Sequence, residues 1–298
     1  MESERKPECT ELAPGLRRLI APNPSPMTYW GTNTYLIGTR GIAVVDPGPL
    51  SEPHLAAIMS ALTPGQQITH ILCTHSHMDH SPLAQPLAAA TGAKVHAFGT
   101  HEDGRRPVMQ AVAASGLIGG GEGVQADFTP DIRLPDGALI KGDGWQIEAL
   151  HTPGHIANHL CFAIGDALLS GDHVMGWASS MVSPPDGDLT AFLASCERLL
   201  ARPEATYFPA HGDPIVDPKA RLDWLINHRS ARTEQIRTAL ASGPATIATL
   251  TERIYTDTPK ALLRAAERNV LATLIALTEK GETTAKPALS ATATFQLA

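Results

Sequence analysis

The pattern of apolar and polar residues along this chain predicts alternating strands and helices. Short apolar runs between glycine and proline residues are typical of buried strands, whereas apolar residues at three- and four-residue spacing are typical of helices. The runs predict strands at residues 16–21, 32–37, 42–45, 68–74, 94–98, 138–140, 145–150, 160–164, 167–169, 205–209 and 292–297. The helical spacing predicts helices at residues 52–62, 82–91, 189–200, 217–240, 246–255 and 259–280. After an opening hairpin the order is helix, strand, helix, strand, which indicates a layered α/β fold.

The same pattern divides the chain into three parts. Residues 1–15 are expected to form a loose N-terminal arm, and residues 16–240 a single large domain. Within that domain, residues 99–130 are less regular and predict an insertion over the sheet. In residues 241–298 two helices precede one clear strand, which favours a small winged-helix-like α+β domain whose second wing strand is not evident.

Composition and charge limit the classes of protein to which the chain can belong. Hydrophobic residues make up 43% of the chain and charged residues 18%, as in soluble globular proteins. A formal net charge of -7 provides no overall positive potential that would attract nucleic acid, although a local groove can still be basic. The four cysteines are widely separated, which indicates neither a zinc knuckle nor a disulfide framework. No secretory segment and no apolar run of membrane length is evident, so we expect a cytoplasmic protein without a membrane partner.

One short motif follows the predicted strand 68–74 and carries most of the candidate chemistry. It reads His-x-His-x-Asp-His and presents three imidazoles and a carboxylate, from His75, His77, Asp79 and His80. Such a cluster could bind two divalent ions if other parts of the chain supply the missing ligands. A polar turn with incidental histidines is the alternative, and the fixed spacing of four ligand-type residues argues against it.

Three further clusters in the second half of the chain supply such ligands. They occupy residues 150–155, 169–173 and 208–213, and each follows a short apolar strand and contains a glycine. Strand ends along one edge of a sheet are where α/β folds assemble their sites. These clusters contribute His155, Asp172 and His211.

The ordered set of ligands resembles the signature of the metallo-β-lactamase-fold superfamily, and the resemblance extends over residues 16–213. It implies an αββα sandwich, in which two mixed β-sheets lie face to face with helices outside. It also implies two Zn²⁺ ions per chain, because Asp79 and His80 are both present, unlike in the one-iron dioxygenases of the superfamily. The implied ligands are His75, His77 and His155 for the first zinc, Asp79, His80 and His211 for the second, and Asp172 as the bridge.

The C-terminal part narrows the resemblance further. Asn227-His228-Arg229 followed by a winged-helix tail is similar to the lactamase-beta-like protein 2 group. Known members of that group include a single-strand-specific endoribonuclease, and fungal relatives act as polyketide acyl-carrier thioesterases. The last helix carries both basic and acidic residues. A packing or dimerising role for the tail is therefore at least as well supported as binding to nucleic acid, and the protein could form a homo-oligomer.

Several neighbours of the ligand set are candidates for supporting roles. Asp46 ends a strand near the metal motif and is expected to orient a ligand imidazole. His159 could hydrogen-bond a developing oxyanion or simply pack, and packing is favoured. His173 follows the bridging carboxylate and is a candidate for a supporting contact. Trp177 and Met181 could line the substrate mouth or serve only in packing.

The implied mechanism is hydrolysis. Zinc lowers the pKa of bound water towards about 7, and a hydroxide that bridges the metals would attack an acyl carbonyl or a phosphodiester. Asp79 is the candidate catalytic residue, because it can accept a hydrogen bond from the nucleophile as well as bind metal.

The substrate is the least determined property. A small acyl compound (an ester, thioester, lactone or β-lactam) is favoured, because the mouth segments 99–130 and 174–188 hold only Arg105 and Arg106 among more acidic residues. Cleavage of single-stranded RNA is the alternative and would need basic residues near the metals. A non-enzymatic binding protein is disfavoured, since no residue of the ligand set is lost.

Overall fold

The first β-sheet follows the order of the sequence. In the computed structural model, which describes residues 9–298, seven strands form this sheet. They are β1 (Thr10–Ala13), β2 (Leu16–Ile20), β3 (Asn33–Ile37), β4 (Gly41–Val45), β5 (Gln67–Leu72), β6 (Lys94–Ala97) and β7 (Ile132–Arg133). Neighbours from β1 to β4 are antiparallel, and neighbours from β4 to β7 are parallel. Parallel neighbours require crossovers, which contain α1 (Glu52–Ser60), α2 (Ala84–Thr91) and α3 (Pro107–Ser115).

The second sheet contains five strands of the described chain. They are β8 (Leu139–Lys141), β9 (Gln146–His151), β10 (Leu160–Ile164), β11 (Ala167–Gly171) and β12 (Thr206–Pro209). Only the pair of β11 and β12 is parallel, and α4 (Leu189–Leu200) connects these two strands. α5 (Pro218–Ala241) follows β12. Both sheets are therefore mixed.

Both faces of each sheet are buried, which produces four layers. On β3, Tyr35 and Ile37 point into the core between the sheets, where they meet Phe162 of β10. Leu36 points to the other face and packs in the core that includes Ile58 of α1. Full burial of a side chain of this size contributes roughly 1.5–3 kcal/mol. Helices α4 and α5 cover the outer face of the second sheet through a further apolar core. The predicted αββα architecture is confirmed.

Local sequence signals explain where several helices begin and end. The side chain of Ser51 accepts a hydrogen bond from His54 N at the start of α1, and Asp188 accepts from Thr190 N and Ala191 N at the start of α4. Gly92 ends α2 with a φ of 76°, a conformation that glycine adopts without steric penalty.

The C-terminal unit contains three helical segments and a small antiparallel sheet. Its elements are β13 (Ala245–Thr246), α6 (Ile247–Ile254), a 3₁₀ turn (Lys260–Leu262), α7 (Leu263–Glu279), β14 (Thr283–Lys286) and β15 (Thr294–Leu297). The strand order is β13-β15-β14, so a second wing strand is present. The apolar pattern does not predict β14, because its Thr-Thr-Ala-Lys sequence has little apolar alternation. No helix of residues 9–298 is both long enough and apolar enough to traverse a membrane.

Two predicted segments differ from the structure. The loose arm predicted for residues 1–15 is wrong for Thr10–Ala13, because this segment pairs with β2 and its Leu12 and Ala13 pack against the core between the sheets. Residues 1–8 of the arm lie outside the described residues. The insertion at 99–130 contains α3, which packs with α5 and α7 in the core of the C-terminal unit.

Candidate metal centre

The ends of strands bring the predicted ligands to one edge of the molecule. The His-x-His-x-Asp-His motif begins three residues after the end of β5, and Asp172 directly follows β11. β9, β11 and β12 run in the same direction, because β9 and β11 are both antiparallel to β10 and β12 is parallel to β11. His155 and His211, which come after β9 and β12, therefore reach the same edge as Asp172.

The ligand atoms form two groups. In each group these atoms all lie within 4.8 Å of one another. The first group is His75, His77, His155 and Asp172, and the second is Asp79, His80 and His211. In the first group, His77 Nδ1 lies 2.9 Å from His75 Nε2 and 3.0 Å from His155 Nε2. In the second, Asp79 Oδ2 lies 3.2 Å from the Nε2 atoms of both His80 and His211.

Asp172 faces both groups. Its Oδ2 lies 3.6 Å from His155 Nε2 in the first group and 3.6 Å from His80 Nε2 in the second. Its Oδ1 lies 3.3 Å from His211 Nε2. A carboxylate in this position can contact two ions at once.

Hydrogen bonds on the far side of the imidazole rings set their tautomers. His155 Nδ1 donates to the carbonyl of Met181 over 2.7 Å, and His211 Nδ1 donates to the carbonyl of Gly31 over 3.2 Å. A carbonyl oxygen can only accept, so each Nδ1 carries a proton, and Nε2 is the nitrogen that faces the cluster and can bind a metal ion.

Asp46 extends this pattern to two more imidazoles. Its carboxylate lies 3.0 Å from His80 Nδ1 and accepts hydrogen bonds of 2.7 Å from both the backbone N–H and the hydroxyl of Thr74. The Thr74 oxygen lies 2.9 Å from His75 Nδ1, and since its proton goes to Asp46 it accepts from the imidazole. Asp46 thus contacts His80 directly and His75 through Thr74.

The other two candidate histidines do not face the cluster. His159 Nε2 accepts from the backbone N–H of Asp172 at 3.2 Å, so its Nδ1 donates to Thr152 Oγ1 at 3.0 Å. Both nitrogens are engaged, which favours packing over oxyanion binding. His173 lies beside Phe192 and Cys196, with its Nε2 3.5 Å from the sulfur, and makes no hydrogen bond to a ligand side chain in the described chain.

The charges of the cluster suit a cation. Burial would lower the pKa of His211, but Asp172 and Asp79 outweigh burial and raise that pKa to about 10. Conversely, burial and the neighbouring His155 lower the pKa of His77 to about 3. His80 Nε2 and Asp172 Oδ1 are buried and make no hydrogen bond among residues 9–298, because their contacts of 3.2 Å to Asp79 and 3.3 Å to His211 lack hydrogen-bond geometry. Imidazole and carboxylate donors with such orphaned atoms fit divalent metal ions.

Comparison with known proteins assigns the family. Residues 27–211 match the family model of the metallo-beta-lactamase superfamily. The chain belongs to this superfamily. Residues 246–287 match the beta-lactamase associated winged helix domain. As the motifs predicted, the protein is an enzyme of the hydrolase type.

The chain is similar to known proteins over most of its length. The chain is 28% identical to the beta-lactamase-like protein 2 homolog of Drosophila melanogaster, over 93% of this chain and 92% of the relative. It is 32% identical to the lactamase-like protein vrtG of Penicillium aethiopicum, over 79% and 69%. A metallo-beta-lactamase family protein from Thermus thermophilus superposes with a TM-score of 0.76 at 25% identity, over 97% of this chain and 100% of that one. The predicted resemblance is confirmed.

Proposed function

We propose that this superfamily member is a binuclear zinc hydrolase that acts on small acyl substrates. The observation that carries the proposal is the position of Asp172 between two groups of buried ligand atoms. His75, His77 and His155 would hold one ion, Asp79, His80 and His211 the other, and Asp172 both. Bound zinc would supply an activated water nucleophile and stabilise negative charge on the oxygen that forms.

Asp79 has a position suited to a catalytic role. Its side chain is 27% exposed, whereas the imidazoles beside it, His80 and His211, are buried. Thr32 Oγ1 donates to its Oδ2 over 3.3 Å and limits its rotation. One oxygen of Asp79 could therefore bind a metal ion together with His80 and His211, while the carboxylate accepts a hydrogen bond from the attacking water.

Exposed aromatic side chains beside the second ligand group support the proposed substrate class. Tyr29, Trp30 and Trp177 are 39%, 51% and 38% exposed. The ring of Tyr29 lies 4.5 Å from that of Trp30 and 5.0 Å from that of Trp177. We call these three residues the aromatic platform. The platform adjoins His211 on two sides. Gly212, the next residue after His211, lies against Trp177, and His211 donates a hydrogen bond to the carbonyl of Gly31, the residue after Trp30.

The basic residues of the predicted mouth segments are already neutralised. Arg105 pairs with Asp186 at 2.6 Å, and Arg106 pairs with Asp188 at 2.5 Å and with Glu279 at 2.8 Å. Neither guanidinium is free for a phosphate. A flat apolar acyl group on the aromatic platform suits this surface better than RNA does. The atrochrysone carboxyl ACP thioesterase of Claviceps purpurea, 28% identical over 78% of this chain and 68% of the relative, supports a thioester in particular.

The test is a comparison of substrates on the zinc-loaded protein. Its arms are aromatic and short aliphatic thioesters, lactones, β-lactams and labelled single-stranded RNA. We expect turnover of the aromatic thioester, with two zinc ions per chain by metal analysis. Trp177→Ala should raise KM about tenfold for the aromatic substrate only, because it removes one stacking partner.

Two variants distinguish activity of the proposed site from activity of a contaminating enzyme. Asp172→Ala should lower turnover about 100-fold or more, since losing even an outer partner of a ligand lowers activity 10- to 100-fold. Asp166→Ala, in the exposed turn between β10 and β11, is the matched control and should behave like wild type. RNA cleavage that depends on Asp172, without acyl turnover, would overturn the proposed substrate. Binding of one zinc ion or none at saturation would overturn the binuclear site.

The cytoplasmic location of the protein stays a prediction.

A further inference from the structure

The loop that connects β11 to α4 carries backbone contacts to two of the metal-ligand residues. The carbonyl of Met181 accepts the 2.7 Å hydrogen bond from His155 Nδ1. One residue earlier, the hydroxyl of Ser180 donates to the backbone carbonyl of Asp172. The position of residues 180–181 therefore determines the orientation of His155 and the backbone at Asp172.

Two residues from other elements hold this loop on either side of Met181. Arg229 of α5 donates from Nη2 to the carbonyl of Ser180 and from Nη1 to Asn269 Oδ1 over 2.9 Å. The same Asn269 oxygen accepts from the backbone N–H of Val182 over 3.0 Å. Asn269 lies on α7, so an amide of the winged-helix unit and a guanidinium of α5 together clamp the peptide units next to Met181.

Arg229 is an unusual residue to find in this place. Its side chain is 4% exposed, and within residues 9–298 no carboxylate pairs with it. Its contacts are two oxygen acceptors and the ring of Phe192, whose centroid lies 5.4 Å from its guanidinium carbon. A buried charge without a countercharge is unfavourable for folding. A contribution to stability therefore does not explain why an arginine occupies this position, whereas its hydrogen bonds to the loop and to Asn269 do.

A second contact ties α7 to the loop and to the insertion. Arg268 donates to Ser183 Oγ over 2.8 Å and to the carbonyl of Ile118 over 2.8 Å. The insertion in turn reaches the metal motif, because the carbonyl of Gly123 accepts from Met78 N over 2.7 Å. Helix α7 is thus connected to the centre through two segments, the loop and the insertion.

We propose that the winged-helix unit serves as a positioning element of the metal centre, with Asn269 of this unit and Arg229 of α5 as the positioning residues. This inference rests on the proposed metal site but not on the proposed substrate. Helix α7 is then a packing helix, in agreement with the burial of most of its middle, from Val270 to Ile275. All six residues from Val270 to Ile275 are buried, so this stretch of α7 offers no free face to a nucleic-acid groove.

The experiment measures zinc affinity of the full-length protein by competition with a chromophoric chelator, and the Co²⁺ absorption spectrum of the same proteins. Asn269→Ala and Arg229→Met should weaken binding of one zinc ion about tenfold and alter the Co²⁺ bands, since loss of an outer partner of a ligand lowers affinity 10- to 100-fold. Asn269→Asp keeps an oxygen acceptor for Val182 N and Arg229, so it should stay close to wild type in both measurements.

Arg232→Met is the matched control for Arg229→Met. Arg232 lies one turn further along α5, stacks on Tyr255 at 4.3 Å and donates to the carbonyl of Ile254, without reaching the loop. We expect its zinc affinity and Co²⁺ spectrum to equal those of wild type. Unchanged affinity and spectra in both Asn269→Ala and Arg229→Met would overturn the positioning role, as would equal losses in the control. Wild-type protein that binds two zinc ions without acyl turnover would instead overturn only the proposed substrate.

Discussion

At the scale of single residues, the centre depends on a close backbone approach at Gly171. This residue has a φ of 51°, and a Cβ added to it would lie 2.5 Å from His159 Nε2. His159 is the imidazole that accepts the backbone N–H of Asp172. Glycine is therefore required at this position both for the conformation of the backbone and for the space that His159 occupies.

Gly171→Ala should consequently lower the free energy of unfolding by more than the strain of its left-handed backbone alone. Gly165 provides the control, because its φ of 54° is similar and a Cβ there would have no neighbour within 4 Å. Gly165→Ala should lower the free energy of unfolding by about 1–2 kcal/mol, the penalty for a left-handed conformation. Gly171→Ala should lower it further and also weaken zinc binding, as urea unfolding and chelator competition would measure. Equal effects of the two substitutions would contradict this role of His159.

At the scale of elements, α1 docks on the first sheet through a buried neutral histidine. His54 Nε2 lies 2.8 Å from Thr34 Oγ1, whose proton goes to the backbone carbonyl of Asp46, so His54 donates. Its Nδ1 is buried without a partner among the described residues. Burial lowers the pKa of His54 from 6.5 to about 4.

This docking makes stability depend on pH. Below pH 6.5 the unfolded chain protonates His54, while the folded chain resists protonation until about pH 4. Stability is therefore lost as the pH falls through this range, by about 2 kcal/mol between pH 7 and pH 5. Urea unfolding at pH 7 and pH 5 should measure this effect. Between these pH values the free energy of unfolding should fall by about 2 kcal/mol more in wild type than in His54→Gln, which retains all the other histidines. A difference between the two proteins that does not vary with pH would contradict the prediction.

At the scale of the whole molecule, the C-terminal unit shares its core with the rest of the chain. Ile236 and Leu240 of α5 pack with Leu274 and Phe295 of the winged-helix unit, and Met109 of α3 joins them. The domain boundary predicted between residues 240 and 241 falls at the end of α5, which contributes to this core. The two parts are thus joined by packing as well as by the Asn269 and Arg229 contacts.

This shared core predicts a single cooperative unfolding transition. Calorimetry of the metal-free full-length protein should give equal van't Hoff and calorimetric enthalpies. Leu240→Ala should lower the free energy of unfolding by roughly 2–5 kcal/mol, as for other core leucines, without splitting the transition. Two separate transitions in wild type would show that the winged-helix unit unfolds independently.

Much of the fold and of the ligand set is predictable because it depends on local pattern. β10 and α4 begin and end where the apolar periodicity predicts, since both are bounded by turn or cap residues. The ligand motif is readable because spacing of residue types within one loop survives folding. The apolar pattern does not predict β1 and β14, because pairing with a neighbouring strand makes these segments strands.

The sequence by itself determined the layered α/β class, the four ligand-bearing strand ends and the dominance of imidazole and carboxylate chemistry. Only the tertiary structure decided what surrounds them. The carbonyls of Met181 and Gly31 orient His155 and His211, yet every residue has a carbonyl, so no side-chain pattern marks them. The contacts of Arg229 and Asn269 join residues far apart in the chain, and their partners are set by how α5 and α7 pack. Local pattern reports which groups are present, whereas long-range packing decides which of them meet.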